Sequence, residues 1–332
     1  MRRLGLPTIA AFVSAALVYA AGTGFHITGE IKVGGEGGWD YLTVDSAARR
    51  LYVSHATHVV VVDIDANKIV GDIPDTPGVH GITIAPELNR GYISNGRGNT
   101  VTIFDLKTMK PVGSAATGEN PDSIRYDAVS GRVFAFNGRS KNATVIDAKS
   151  GTVAATIPLP GKPEFSVADG KGKVYVNIED TSEIVEIEAA KATVVKKYSL
   201  KPCEEPSGLA IDAKNRRLFS VCGNRLMAVS DPDAGKVLAT PAIGAGPDGA
   251  AFDAELGYAF SSNGDGTLTI VQQTGGKWDV LENIATERGA RTIALDDKTH
   301  KVYLPTAKTA PTTGSGRPTF LPDTFKVLIV GK

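Results

Sequence analysis

Six residues able to bind or activate a ligand fall at one point of a recurring sequence. Asp40, His80, Asp122, Glu164, Asp248 and Arg291 each lie five residues before an anchoring Asp, with Ala85 standing in for the second anchor. Ser207 is the seventh member. Carboxylates and imidazole are donors for a divalent cation, through hard oxygen or nitrogen. Arg291, with Arg288 close by in sequence, suits an anion or a surface ion pair. A second set lies three residues after a recurring aromatic: His55, Asn95, Asn137, Ile178, Cys222, Asn263 and Thr306. Regular hairpin pairing would put Asp40 opposite His55 and His80 opposite Asn95, on one rim. The polar members of both sets, Asp40, His55, His80, Asn95, Asp122, Asn137, Glu164, Asp248, Asn263 and Arg291, then form a ligand-binding funnel. Its candidate metal ligands are Asp40, His55, His80, Asp122 and Asp248. The competing account is architectural: Asp, Asn and Ser beside strands also cap turns and tie neighbouring units together. Asp63, Asp105 and Asp147, at a repeated third-strand end, read as architecture.

No sequence pattern fixes a catalytic role. There is no Gly-x-Ser-x-Gly elbow, no His-Glu-x-x-His, no phosphate loop and no dinucleotide-binding glycine pattern. Asn95-Gly96-Arg97-Gly98 and Asn263-Gly264-Asp265-Gly266 each follow one strand and precede another, so they read as tight turns with no helix start to hold phosphate. No cofactor is identifiable; a divalent cation is the one group these donors suit.

The elements that must hold these residues come from the repeat. Trp39 to Asp45, His80 to Ala85, Pro121 to Asp127, Pro163 to Asp169, Pro206 to Asp212, Pro247 to Asp253 and Ala290 to Asp296 are seven versions of one strand. Each precedes an aromatic: Tyr52, Tyr92, Phe134, Tyr175, Phe219, Phe260 or Tyr303. The aromatics step by 40, 42, 41, 44, 41 and 43 residues. A period in the low forties, filled by short strands, marks one propeller blade per repeat. A single blade has two apolar faces and nothing to cover them, so the copies must close into one ring. The fold class is all-β: a seven-bladed propeller of four-stranded antiparallel blades. The last repeat lacks a fourth strand, while 25–33 (FHITGEIKV) is a strand without a blade. Pairing these two closes the ring and covers an open edge. The Pro/Gly/Thr-rich insertion 309–324 reads as a mobile surface loop.

The start of the chain points to export. Met1-Arg2-Arg3 precedes an apolar run from Leu4 to Ala21, and Val18-Tyr19-Ala20 suits a signal peptidase. Residues 1–20 are read as a signal peptide and 21–332 as one propeller domain, periplasmic or secreted, with no membrane segment after cleavage. The chain carries 36 basic and 36 acidic residues; losing Arg2 and Arg3 leaves 34 against 36. That balance gives no general drive toward nucleic acid. Cys203 and Cys222 are the only two cysteines. An even count in an oxidising compartment, with both near one rim, predicts a disulfide between them.

The blades PDSIRYDAVSGRVFAFNG, EPSGLAIDAKNRRLFSVCGN and ARTIALDDKTHKVYLPTA resemble the YVTN repeat of the secreted, YncE-like seven-bladed propellers. The resemblance spans essentially all of the chain after the first twenty residues. The literal tetrapeptide is absent, Tyr52-Val53-Ser54-His55 and Tyr92-Ile93-Ser94-Asn95 being its nearest forms. The resemblance implies the propeller, and a binding or scaffold role through the channel mouth. The partner would be a small polar ligand or another protein, and the chain a monomer. The alternative is a metal-dependent hydrolase or lactonase, with a cation on the acidic rim polarising an ester. A redox-cofactor propeller lacks a supporting motif.

Overall fold

The computed structural model describes residues 22–310 and 319–332. Seven four-stranded antiparallel sheets follow one another as blades. The innermost strands are Leu42–Asp45, Val79–Ala85, Pro121–Asp127, Pro163–Ala168, Pro206–Asp212, Pro247–Asp253 and Ala294–Asp296. Second strands end at His55, Asn95, Asn137, Ile178, Cys222, Asn263 and Thr306. The ring closes as the repeat requires. The strand His26–Lys32 pairs antiparallel with Lys326–Gly331, Ile31 opposite Val327, and becomes the outer strand of blade seven. Lys326 fastens this seam through ion pairs of 2.8 Å to Glu30 and to Glu287. The proposed signal, residues 1–20, lies outside the described residues.

Burial follows strand position within the blade. The third strand of blade one, HVVVVD, is apolar on both faces because a blade is covered on both sides. The outer strand KIVGDI is exposed along most of its length and buries only Ile73. The seven repeated aromatics are all buried. Tyr52 packs with Ile82 and Phe104 of the next blade, and its ring lies 5.7 Å from that of Phe104. Truncating an aromatic so enclosed typically costs about 3–5 kcal/mol.

The anchoring Asp residues cap turns. Asp45, Asp212 and Asp253 each accept a backbone N–H from three residues on, at 2.9 Å. Asp63 and Asp105 accept turn N–H groups at 2.8–3.0 Å. Asp147 accepts one from Ser150 at 2.7 Å. Ala85 has no oxygen for this, and blade two instead turns through a short 3₁₀ segment, Pro86–Leu88, closed by Asn89 in the left-handed region (φ 52°).

The insertion in blade seven is more ordered at its flanks than its composition suggests. Ala310 N–H donates to Thr319 O, and Leu321 N–H to Lys308 O, both at 2.8 Å. Phe320 packs 4.7 Å from Trp39. Its middle, 311–318, lies outside the described residues, so the expected mobility there is untouched.

Candidate functional site

The two residue sets stand at one end of the blades but do not face each other. Five innermost strands carry a register shift at their start, between Val79 and Ile82, Pro121 and Ile124, Pro163 and Ser166, Pro206 and Leu209, and Pro247 and Gly249. Val79, not His80, therefore faces Asn95; Pro121 faces Asn137, and Pro247 faces Asn263. In blade one, regular pairing begins only at Leu42 and Val53, so Asp40 has no ladder partner. A bulge turns the side chain that follows it. The sequence carried a signal for this: Pro121, Pro163, Pro206 and Pro247 open their strands, and a proline without N–H sits at a strand's first residue or at a bulge.

The second-strand set is withdrawn into the blades. Asn95, Asn137 and Asn263 are 1%, 0% and 0% exposed. Each spans its own blade: Asn95 Nδ2 donates to Thr100 and Thr102, Asn137 Nδ2 to Asn142 and Thr144, and Asn263 Nδ2 to Thr267 and Thr269, all at 2.7–3.1 Å. His55 is also enclosed, stacked on Phe325 with ring centres 4.5 Å apart. Burial, with His58 close by, pulls its imidazole down to about 4. These four residues are corrected from the funnel, and His55 from the metal candidates, because no face of them reaches the mouth. Cys222 belongs to the same ring and is bonded to Cys203, with Cα atoms 5.7 Å apart.

The strand-start set does converge, blade to blade. Arg291 Nε donates to Asp248 at 2.7 Å, and its other end reaches Asp40 at 4.0 Å. Asp40 Oδ2 lies 2.6 Å from His80 Nδ1, and that nitrogen lies 3.6 Å from Asp122 Oδ1. Glu164 takes an ion pair from Lys162 at 2.6 Å, and Lys162 also holds Glu179. Ser207 closes the gap in blade five by donating to Pro247 O at 3.1 Å. The backbone locks the first member in place: Asp40 N–H donates to Ser54 Oγ, and Thr292 Oγ1 donates to Asp40 O. Blades pack tightly here. A side chain at Gly208 would meet the backbone of Asp248 and Ala250 at 2.7–2.8 Å.

The charges are crowded. Four carboxylates face Arg291, Lys162 and His80. Burial pulls the His80 imidazole down, but its bond to Asp40 and the charges of Asp122, Asp40 and Glu164 outweigh this and hold it up at about 9. Burial pushes the Asp122 carboxyl up and Asp40 adds to it, against the pull of His80. Burial and the charge of Asp122 push Glu164 up against Lys162. Burial raises Asp248 against Arg291. One donor atom each from Asp40, His80 and Asp122 lie within 4.8 Å of one another. Asp122 Oδ1 is buried with no hydrogen-bond partner. Asp248 is committed to Arg291 and stands apart from this triplet.

Three residues of this region escaped the sequence reading. Tyr41 and Phe165 sit one residue after Asp40 and Glu164 and meet across the channel, ring centres 4.7 Å apart. Burial and the charges of Asp122, Asp248, Asp40 and Glu164 push the Tyr41 phenol well up. The two rings floor the mouth. Arg125, below them, is the third. The signal was the repeat itself: Gly81, Gly208 and Gly249 hold the equivalent position in other blades, so two aromatics there stand out.

Among known proteins, the chain is 22% identical over 187 residues to "Uncharacterized protein YncE" of Salmonella typhi. The same figures hold for the protein of that name in Salmonella typhimurium. The match takes in 54% of this chain and 52% of the relative, so the chain spans about half the length of the curated relatives it matches. The chain is a seven-bladed β-propeller with weak sequence similarity to YncE proteins. No family model matches it. A chain of Kuenenia stuttgartiensis hydrazine synthase superposes with a TM-score of 0.68 at 14% identity, over 88% of this chain and 96% of the other. At that identity the likeness shows the fold alone.

Proposed function

We propose that this YncE-like propeller is an exported binding protein whose channel mouth takes a divalent cation, or a ligand presented by one, between Asp40, His80 and Asp122. The observation that carries the reading is that triplet of donor atoms, within 4.8 Å of one another beside a partnerless buried carboxylate oxygen. Two carboxylates and an imidazole suit Zn²⁺ or Mn²⁺. The cation would have to displace a proton from His80, and the surplus of acids over bases in the ring favours that exchange. Export is supported by the apolar N-terminal run and by the Cys203–Cys222 bond, which suits an oxidising compartment.

Calorimetric titration of the purified protein with Mn²⁺ and with Zn²⁺ tests the reading. One equivalent should bind, and Asp40→Asn with Asp122→Asn should abolish it while the melt of the metal-free protein stays nearly in place. Binding that survives both substitutions, or no binding of either metal, overturns it. The hydrolase alternative rests on the same triplet, since a cation there would polarise an ester carbonyl; turnover of a lactone by metal-loaded protein, lost in the double variant, would favour it.

A further inference from the structure

The channel beneath the Tyr41–Phe165 floor has different chemistry from the mouth. Its wall includes six residues that each lie two before an anchor: Thr43, Arg125, Val167, Ala210, Ala251 and Ala294. Five of these are small, apolar or hydroxylic, and one is a cation. Arg125 Nε and Nη2 both donate to Ser166 O, at 3.0 and 2.8 Å. Its guanidinium lies over the Phe165 ring, 5.4 Å from the centre. Among the described residues it makes no ion pair, and burial alone holds it below the ordinary guanidinium range. A guanidinium has five N–H donors, so two donated to one oxygen leave three for another partner. Arg125 is half-buried, so it loses part of its hydration with no counter-charge in return.

Arg125 faces a cavity of about 280 Å³ whose other walls include Val167, Ile211, Phe252 and Leu295. We propose that this cavity is a binding site, separate from the mouth, for a small apolar carboxylate. Its anionic group would pair with Arg125 and its tail would lie against those apolar walls. A carboxylate accepts from a guanidinium in two parallel bonds, and the apolar walls supply the burial that a small ligand needs. Asp297 also lines the cavity. Burial and the charges of Asp253 and Asp296 push its carboxyl up, so a second anion is unwelcome there and the ligand is oriented with its charge toward Arg125.

Three probes of one shape separate charge from shape: phenylacetate, benzyl alcohol and phenethylamine, titrated into the full-length protein by ligand-observed NMR. Phenylacetate should bind saturably and at least about tenfold more tightly than the other two, as a charge-assisted pair implies. Arg125→Met should lose about tenfold or more in phenylacetate affinity while leaving Mn²⁺ binding at the mouth unchanged. Should that variant not fold by circular dichroism, Arg125→Gln, which keeps a donor toward Ser166, gives the same reading. Equal binding of all three probes overturns the proposal. So does phenylacetate binding that survives loss of the guanidinium, or no saturable binding up to about 10 mM, beyond the range of useful affinity.

Discussion

Two rings of polar residues run around this propeller at fixed points of the same repeat, and they are built oppositely. At the second-strand ends, three blades use the same residue, Asn95, Asn137 and Asn263, and each is buried and bonded to threonines of its own blade. At the innermost-strand starts, seven blades use five residue types, and the bonds cross from blade to blade: Asp248 to Arg291, Arg291 to Asp40, Asp40 to His80. A repeated residue whose amide nitrogen bonds inside its own unit is repeating one structural task. A position that changes chemistry from unit to unit, and bonds mainly across to neighbouring units, depends on the assembled ring. Both rings read as polar funnel in the sequence; the bulge that separates them makes one a buried frame and leaves the other as the candidate site.

The sharpest test of the frame is its blade-five member. Cys222 holds the place that Asn holds elsewhere, and its bond to Cys203 closes a span of 19 positions. Replacing both by Ser should cost roughly 3 kcal/mol in the chain-entropy account, read as a lower urea midpoint. Mn²⁺ binding at the mouth should not move. An unchanged midpoint would mean that the bond adds no stability to the frame.

The direct comparison is Asn263→Ala against Asp122→Asn. Asn263 Nδ2 donates to Thr267 and Thr269, and its Oδ1 accepts from Ser261 at 2.8 Å. Its loss leaves the buried Ser261 hydroxyl without its acceptor, removes two further bonds to threonines and should cost about 2 kcal/mol. Asp122 has one partnerless oxygen and repelling neighbours, so Asp122→Asn should stay within about 0.5 kcal/mol of wild type. Equal losses by urea unfolding would erase the distinction between frame and site.

The fold was almost fully legible, because its signals are local and sevenfold. The aromatic step, the strand patterns and the unmatched strand at 25–33 all state the ring, and Ile31 facing Val327 completes it. The strand-start residues were legible as a set, since they share one repeat position. Their partners were not. One residue of register shift exchanges the faces of a strand, so the pairing of His80 with Asn95 failed although both positions were counted correctly. Pro121 and its counterparts mark the shift, since a proline without N–H sits at a strand's first residue or at a bulge, but which of the two is set by the folded ladder. Tyr41 and Phe165 were hidden for another reason: their meeting joins blade one to blade four, and no spacing along the chain encodes a contact across the ring.

The smallest expected effect, and the one most specific to the mouth, is its response to pH. His80 titrates at about 9, above its unfolded value of 6.5, so its contribution to stability is complete below that lower value and is lost as pH rises through about 9. Asp122 is also raised, which favours its protonated form, so its contribution falls as pH climbs out of the acid range. Both slopes make the metal-free protein slightly less stable with rising pH. Metal binding runs the other way, because the cation competes with those same protons. The Mn²⁺-induced rise in melting temperature should therefore be near zero at about pH 5.5 and grow toward about pH 8.5, across the window these raised groups define. Asp40→Asn removes the bond that most strongly raises His80, so the imidazole, followed by NMR, should titrate nearer 6.5. A wild-type His80 that already titrates there would show that the mouth does not hold its charges as a coupled set, and the contrast with the asparagine ring would lose its electrostatic half.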